Sequence, residues 1–252
     1  MTMTSDKWRI YNDLINLVPS SARIKSVRWG RFWILLETDR GGLGLAQNQG
    51  ENEDFDSSAL AGRPLREVAE GLKSWDFNEA ALGLAAVNAV VNNLAPLETG
   101  AAFSRDGDAF ELFMSGVRDK KVAVIGHFPY LEKLRPQCRS LVILERAPRP
   151  GDLPDSAAEY ILPEQDQVFI TSSAFINKTM PRLLELSQKA KVGLVGPSTP
   201  MAPILFQHGL SALSGLAVTD AEVAGRAVTQ GGTCIGLFGD GVKKINLTLK
   251  KP

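Results

Sequence analysis

From Ile24, the segment IKSVRWGRFWILLET alternates apolar and polar positions and is rich in branched and aromatic residues. That pattern predicts two strands with a bend at Gly30 and Arg31, and GLGLAQ from Gly42 reads as a third. The period then lengthens. PLREVAEGLKS has Pro64 at a first-turn position, and DFNEAALGLAAVNAVVNN opens with Asp76 and Glu79 at capping-box spacing, so both predict helices. Strands followed by helices imply a small α+β domain, placed at residues 1–105.

The polar, turn-rich stretch SRDGDAF (104–110) reads as a linker. After it come short, almost unbroken apolar runs separated by helical stretches: VAVI from Val122, LVIL from Leu141, VFIT from Val168, VGLV from Val192 and a weaker GLAV from Gly215. Buried strands alternating with helices predict an α/β domain over 106–252, a Rossmann-like doubly wound parallel sheet. At its end TCIGLF and KKINLTL flank Gly239, Asp240 and Gly241, which reads as a C-terminal hairpin.

Composition narrows the partners. The 28 basic and 28 acidic side chains cancel, so no electrostatic footprint points to nucleic acid or to an anionic membrane surface. No apolar run approaches the roughly 20 residues of a membrane span, and MTMTSDKWRIYNDL lacks the apolar core of a signal peptide; a cytoplasmic location is expected. Cys138 and Cys234 stand apart without a CxxC or a neighbouring histidine, which argues against a disulfide framework or a structural zinc site, and both read as core residues. A small molecule is the expected partner; a homodimer is left open.

Ligands of an open parallel sheet collect beyond the carboxyl ends of its strands. The candidate residues are those that follow each strand: Gly126, His127 and Phe128 after the first; Glu145 and Arg146 after the second; Thr171, Ser172 and Ser173, then Asn177, after the third; Gly196, Pro197, Ser198 and Thr199 after the fourth. Each also has an ordinary account. Ser198 or Thr199 would N-cap a helix beginning PMAPILF, Asn177 would stabilise a loop, and Lys120 and Lys121 read as solvated. Glu145 follows Gly126 at close to the roughly 20-residue spacing of a ribose-binding carboxylate.

His127 is one of only two histidines. An imidazole at a strand end suits proton transfer, whereas the competing account is a hydrogen-bonded structural histidine. His208, before Gly209, reads as a residue near a helix C-cap. In the first domain, Ala81, Ala85, Asn88 and Asn92 share a helix face, and two carboxamides there must either bond across the domain interface or close the crevice from the other side.

GLAAVNAVVN, IGHFP, ERAPRPGDLP, EYILPEQDQVFITSS with Asn177, and VGPSTPMAPILFQHG together resemble the family described as "putative heavy-metal chelation". The resemblance covers most of the chain from about residue 25. It implies an enolase N-terminal-like domain followed by a Rossmann-like domain similar to that of methyltransferases, with a site between them. It also implies work on metal-chelating small molecules of a pterin-, flavin- or siderophore-like kind. No reaction and no cofactor follow from it. The residues depart from it in places. Gly126 is followed by bulky His127 and Phe128 rather than by a GxGxG run, so adenosylmethionine in its usual pose is not expected, and no carboxylate cluster suited to magnesium is visible. Two separated histidines and two separated cysteines argue against a soft-metal site.

Three functions follow. One is an enzyme that condenses or hydrolyses a polar heterocyclic metabolite, with His127 as proton shuttle, Glu145 and Asn177 orienting it and Ser198 and Thr199 holding an anionic group. The second is a non-catalytic binding or delivery protein using the same crevice. The third, which composition disfavours, is a protein that itself binds metal.

Overall fold

The computed structural model describes residues 6–50, 56–93, 116–128, 131–231 and 235–248. The expected domain boundary at 105/106, the linker 104–110 and Cys234 lie outside these residues.

A helix that the pattern did not predict, α1 (Arg9–Asn16), comes first and buries Ile10, Tyr11, Leu14 and Ile15. The antiparallel meander follows as β1 (Ile24–Trp29), β2 (Trp33–Thr38) and β3 (Leu43–Gln47), turning at Gly30 as its sequence implies. Then come α2 (Leu65–Ala69) and α3 (Phe77–Val91). Asp76 starts α3 by accepting hydrogen bonds from Asn78 N at 2.7 Å and Glu79 N at 3.3 Å. Residues Ala80 to Ala89 of this helix are buried all round, as an apolar helix in an interior must be. Its alanine face sits directly on β3, where a Cβ on Gly44 would lie 2.0 Å from Ala85 O and 2.4 Å from Ala89 N.

The second sheet is built from β4 (Lys121–Ile125), β5 (Ser140–Glu145), β6 (Leu153–Pro154), β7 (Gln167–Thr171), β8 (Lys191–Val195), β9 (Leu210–Val218) and β10 (Val242–Thr248). Its helices are α4 (Leu131–Leu134), α5 (Ala158–Ile161), α6 (Met180–Leu186) and α7 (Ala221–Thr229). Among the described residues the strand order is β10-β9-β8-β7-β4-β5-β6, parallel throughout except for β10 on β9. Numbered within the sheet, the parallel strands run 3-2-1-4-5-6, the doubly wound order, and the direction of winding reverses between β4 and β7. The α/β fold class expected from the alternating pattern is the one observed.

Two local expectations are corrected. The chain does end in an antiparallel pair, but Gly239 to Gly241 is not its turn: residues Ile235–Gly241 form a 3-10 stretch, and β10 pairs with β9 across α7. Asp220 caps that intervening helix through Glu222 N at 2.8 Å and Val223 N at 3.0 Å, while Phe238 is buried edge-on against Trp33 at 5.5 Å, so Phe238 serves the core from a 3-10 stretch rather than from a strand. Nor does a helix begin at Pro200. Prolines at 197, 200 and 203 disfavour helical geometry in the residues before them, and only Pro203–His208 winds, as a 3-10 turn with no side-chain cap. Gly209 ends it at φ 92°, so His208 does sit in a last turn.

One hydrophobic core runs through both sheets, from α1, α2 and α3 to β4, β7, β8 and β10. Tyr11 spans the junction: its ring meets Phe175 edge-on at 5.8 Å, its hydroxyl donates to Phe175 O at 3.3 Å, and burial raises its pKa well above the ordinary phenol value.

Candidate functional site

Where the winding reverses, a cavity of about 240 Å³ opens over the carboxyl ends of β4, β5 and β7. Its floor is Ile125, Gly126, Leu144 and Thr171, with Ala174 and Leu183 as apolar wall; its polar lining comes from His127, Glu145, Arg146, Asp155, Ser173, Asn177 and Thr179, and, from the small sheet, Gln47 and Gln49. Gly126 carries φ 99°, and a Cβ there would press to 3.1 Å from Thr171 Cβ, so the first strand turns out through a conformation suited to glycine.

The lining is only partly bonded within itself. Ser173 Oγ donates to Gln47 Oε1 at 2.7 Å, which leaves the Gln47 Nε2 hydrogens for other acceptors, and Thr171 Oγ1 donates to Ser173 Oγ at 3.4 Å. Gln49 Oε1 is buried and has no partner among the described residues. His127 keeps 26% of its side-chain surface accessible, and its Nδ1 lies 3.5 Å from Asp152 Oδ2. Glu145 Oε1 accepts from Arg146 N at 3.0 Å; the Arg146 guanidinium lies 5.7 Å from the Phe77 ring centre, with Nε 3.9 Å from Asp155 Oδ2.

The loop after β7 is tightly shaped. Asn177 Oδ1 accepts from Thr179 N at 3.1 Å and Thr179 Oγ1 at 2.6 Å, while Lys178 sits between them at φ 66°, a left-handed conformation uncommon outside glycine. Lys178 Nζ donates to Ile176 O at 2.7 Å, and burial pulls its pKa down to about 8.

Of the residues singled out from the sequence, Gly126, His127, Glu145, Arg146, Thr171, Ser173 and Asn177 line the cavity together. Phe128, Ser172, Pro197, Ser198, Thr199, Asn88 and Asn92 do not. Phe128 packs on the core beside β4, and Ser172 is buried with its Oγ where a Cβ on Gly196 would come to 2.8 Å. Ser198 and Thr199 are also buried; Ser198 Oγ accepts from Gln47 N at 2.7 Å, and no helix begins there. Asn88 Nδ2 donates to Leu45 O and Ser198 O, both at 2.9 Å; Asn92 Nδ2 donates to Thr199 O at 3.0 Å and Leu216 O at 2.9 Å, and its Oδ1 accepts from Met201 N at 2.9 Å. These amides bond α3 to the loop after β8. The crevice is closed from the first sheet by Gln47 at the end of β3 and Gln49 in the loop after it, a signal present in GLGLAQNQ but silent until β3 is placed.

Among the described residues, no group of three or more His, Cys, Asp or Glu side chains is placed to hold a metal ion, and no helix is long and apolar enough to cross a membrane. Cys138 is half-buried with its thiol donating to Leu134 O at 3.2 Å, and burial raises its pKa.

Comparison with known proteins follows the same outline. Residues 108–247 match the DUF364 family and residues 11–91 the DUF4213 family, both described as "putative heavy-metal chelation". The crystal structure of a DUF364-family protein of unknown function from Desulfitobacterium hafniense superposes with a TM-score of 0.87 at 40% identity, over 96% of this chain and 98% of that one. A second DUF364-family protein, from Pyrococcus horikoshii, shares the fold at a TM-score of 0.77 and 22% identity, over 96% of this chain and 99% of that one. An uncharacterized protein of Methanocaldococcus jannaschii is 28% identical over 207 residues, 76% of each chain. The chain therefore belongs to the family described as "putative heavy-metal chelation".

Proposed function

We propose that the protein binds a polar heterocyclic metabolite of the kind that chelates metals, pterin-, flavin- or siderophore-like, and modifies it by condensation or hydrolysis. The site is the cavity at the winding reversal, between a unit of residues 1–105 and a Rossmann-like unit of 106–252. The observation that carries the reading is the half-satisfied polar lining of that cavity, in which Gln47 keeps its Nε2 hydrogens and Gln49, a neighbouring lining residue, has a buried Oε1 with no partner among the described residues. A buried acceptor left unmade costs free energy, so a donor supplied by a ligand is the natural complement. Beside it, the spare N–H groups of Gln47 offer the opposite polarity. A planar ring with an amide-like edge, donor beside acceptor, answers both.

In this reading His127 moves a proton to or from the ring, while Glu145 accepts from the ligand's donors. Asn177, whose oxygen is taken by Thr179, donates through Nδ2. The family description raises the question of a metal held by the protein itself. Among the described residues the donor set does not fit one: the cavity has a single imidazole, its carboxylates are not clustered around it, and no thiol lines it. An organic chelator as substrate suits these residues better than a bare ion.

A binding or delivery role is favoured by one observation: the hydroxyls of Thr171, Ser173 and Thr179 in the cavity hydrogen-bond to carboxamides or to each other rather than to a base, so no activated nucleophile is assembled among the described residues. Native mass spectrometry of freshly purified protein, followed by assay of the retained compound for turnover, separates the two. Unchanged compound after prolonged incubation would leave binding and remove catalysis. A tightly held zinc, copper or nickel ion in one-to-one ratio, lost on changing His127, would overturn both.

A further inference from the structure

We infer that Asp152 is the positioning residue for His127, fixing which ring nitrogen faces the cavity. The inference rests on the reading that His127 serves the ligand. Asp152 lies in the ERAPRPGDLP segment, which ties it to the sheet. Asp152 N donates to Arg149 O at 2.9 Å and Asp152 Oδ2 accepts from Arg149 N at 3.0 Å, closing a turn that Gly151 permits with φ 96°. The next two residues form β6, paired in parallel with the end of β5 at Leu144↔Leu153 and Glu145↔Pro154. The carboxylate is thus carried by the sheet edge beside the strand that supplies Glu145.

Its side chain is 4% accessible, against 26% for His127. A carboxylate so far out of water requires compensating donors. One is Arg149 N; among the described residues the other group within ion-pair range is His127 Nδ1, 3.5 Å from Oδ2. That separation exceeds a formed hydrogen bond and closes with a small rotation of the ring. A carboxylate at Nδ1 holds the proton there and leaves the Nε2 lone pair free, the form in which an imidazole accepts a proton from a ligand. Among the described residues, the other charged groups lining the cavity are Glu145, Arg146 and Asp155, with Arg146 and Asp155 3.9 Å apart, and Arg149 stands in the turn that holds Asp152.

The second histidine supplies an internal control. His208 presents Nε2, not Nδ1, to Asp13 Oδ2 at 2.9 Å, away from the cavity. The two rings should therefore carry opposite tautomers. Long-range 1H–15N spectra at about pH 8.5, above the ordinary imidazole pKa of about 6.5, read both at once. Expected is Nδ1–H at His127 and Nε2–H at His208 in the wild type. Asp152→Ala should move the His127 proton largely to Nε2, Asp152→Asn, which keeps an acceptor oxygen, should retain Nδ1–H, and His208 should not change in either. Wild-type His127 protonated at Nε2 would overturn the inference without any variant having to fold, and so would an Asp152→Ala spectrum identical to wild type. His127→Gln tests the underlying reading separately: if native mass spectrometry finds the same co-purifying mass in equal amount, the ligand role of His127 fails while the tautomer assignment stands.

Discussion

Two polar regions border the same strand, β3, and treat their polar groups in opposite ways. In the seam where α3 meets the loop after β8, the amide hydrogens of Asn88 and Asn92 go to Leu45, Ser198, Thr199 and Leu216 carbonyls, although Asn88 Oδ1 and Thr199 Oγ1 have no partner among the described residues. A few residues away, Gln47 and Gln49 line an open volume, Gln47 with its Nε2 hydrogens and Gln49 with its Oε1 without a partner among the described residues. Burial of a polar side chain therefore does not by itself mark a site. Spare capacity facing a cavity is the feature that does.

The sharpest way to break this contrast is at Asn92. Asn92→Ala strands Thr199 O, Leu216 O and Met201 N together. The expected loss is about 3 kcal/mol or more, read as a Tm lower by roughly 10 °C for a chain of this size. A Tm within two degrees of wild type would mean that the seam is not structural.

At the cavity the effects should fall on the ligand. His127→Ala should leave Tm nearly unchanged, since a ring in this position adds little to the core, while affinity for the co-purified compound drops at least tenfold, or about 1.4 kcal/mol. The reverse pattern, a drop in Tm with binding intact, would make His127 structural. Gln49→Leu sharpens the contrast further. Replacing a buried, unpartnered acceptor should leave the ligand-free protein as stable or up to about 1 kcal/mol more stable, while weakening binding. A marked loss of Tm would show that Gln49 has a structural partner.

The smallest effect concerns Lys178. Its pKa is held near 8 by burial, below the ordinary 10.5, so folding disfavours the ammonium form. The penalty is full below pH 8 and vanishes as the unfolded-state lysine also loses its proton, so its contribution to stability rises with pH between about 8 and 10.5. Lys178→Met should raise Tm most at pH 7, with the gain shrinking toward pH 10. A gain that does not vary with pH would mean that the amine is solvated.

What was legible in the sequence was what local chemistry specifies. Apolar runs located β4, β5, β7, β8 and β9, and Asp76 marked the start of α3, because period and capping need only near neighbours. Gly126, His127, Glu145, Thr171 and Asn177 met in one cavity because a parallel sheet delivers its strand ends to one side. The failures share a cause too. Gln47, Gln49 and Asp152 acquire their places only when the end of β3 docks on the loop after β8 and β6 pairs with β5. The helix expected at Pro200 and the hairpin at Gly239 were turn signals outweighed by proline spacing and by the burial of Phe238.

The claim that this cavity is a ligand site is tested most directly by equilibrating wild type, His127→Gln and Gln49→Leu with a deproteinised cell extract and weighing the complexes by native mass spectrometry. Expected is an organic compound, with no stoichiometric bare metal ion, retained by wild type and reduced at least tenfold in both variants. Retention of the same mass at the same level by all three, or by none, would contradict it.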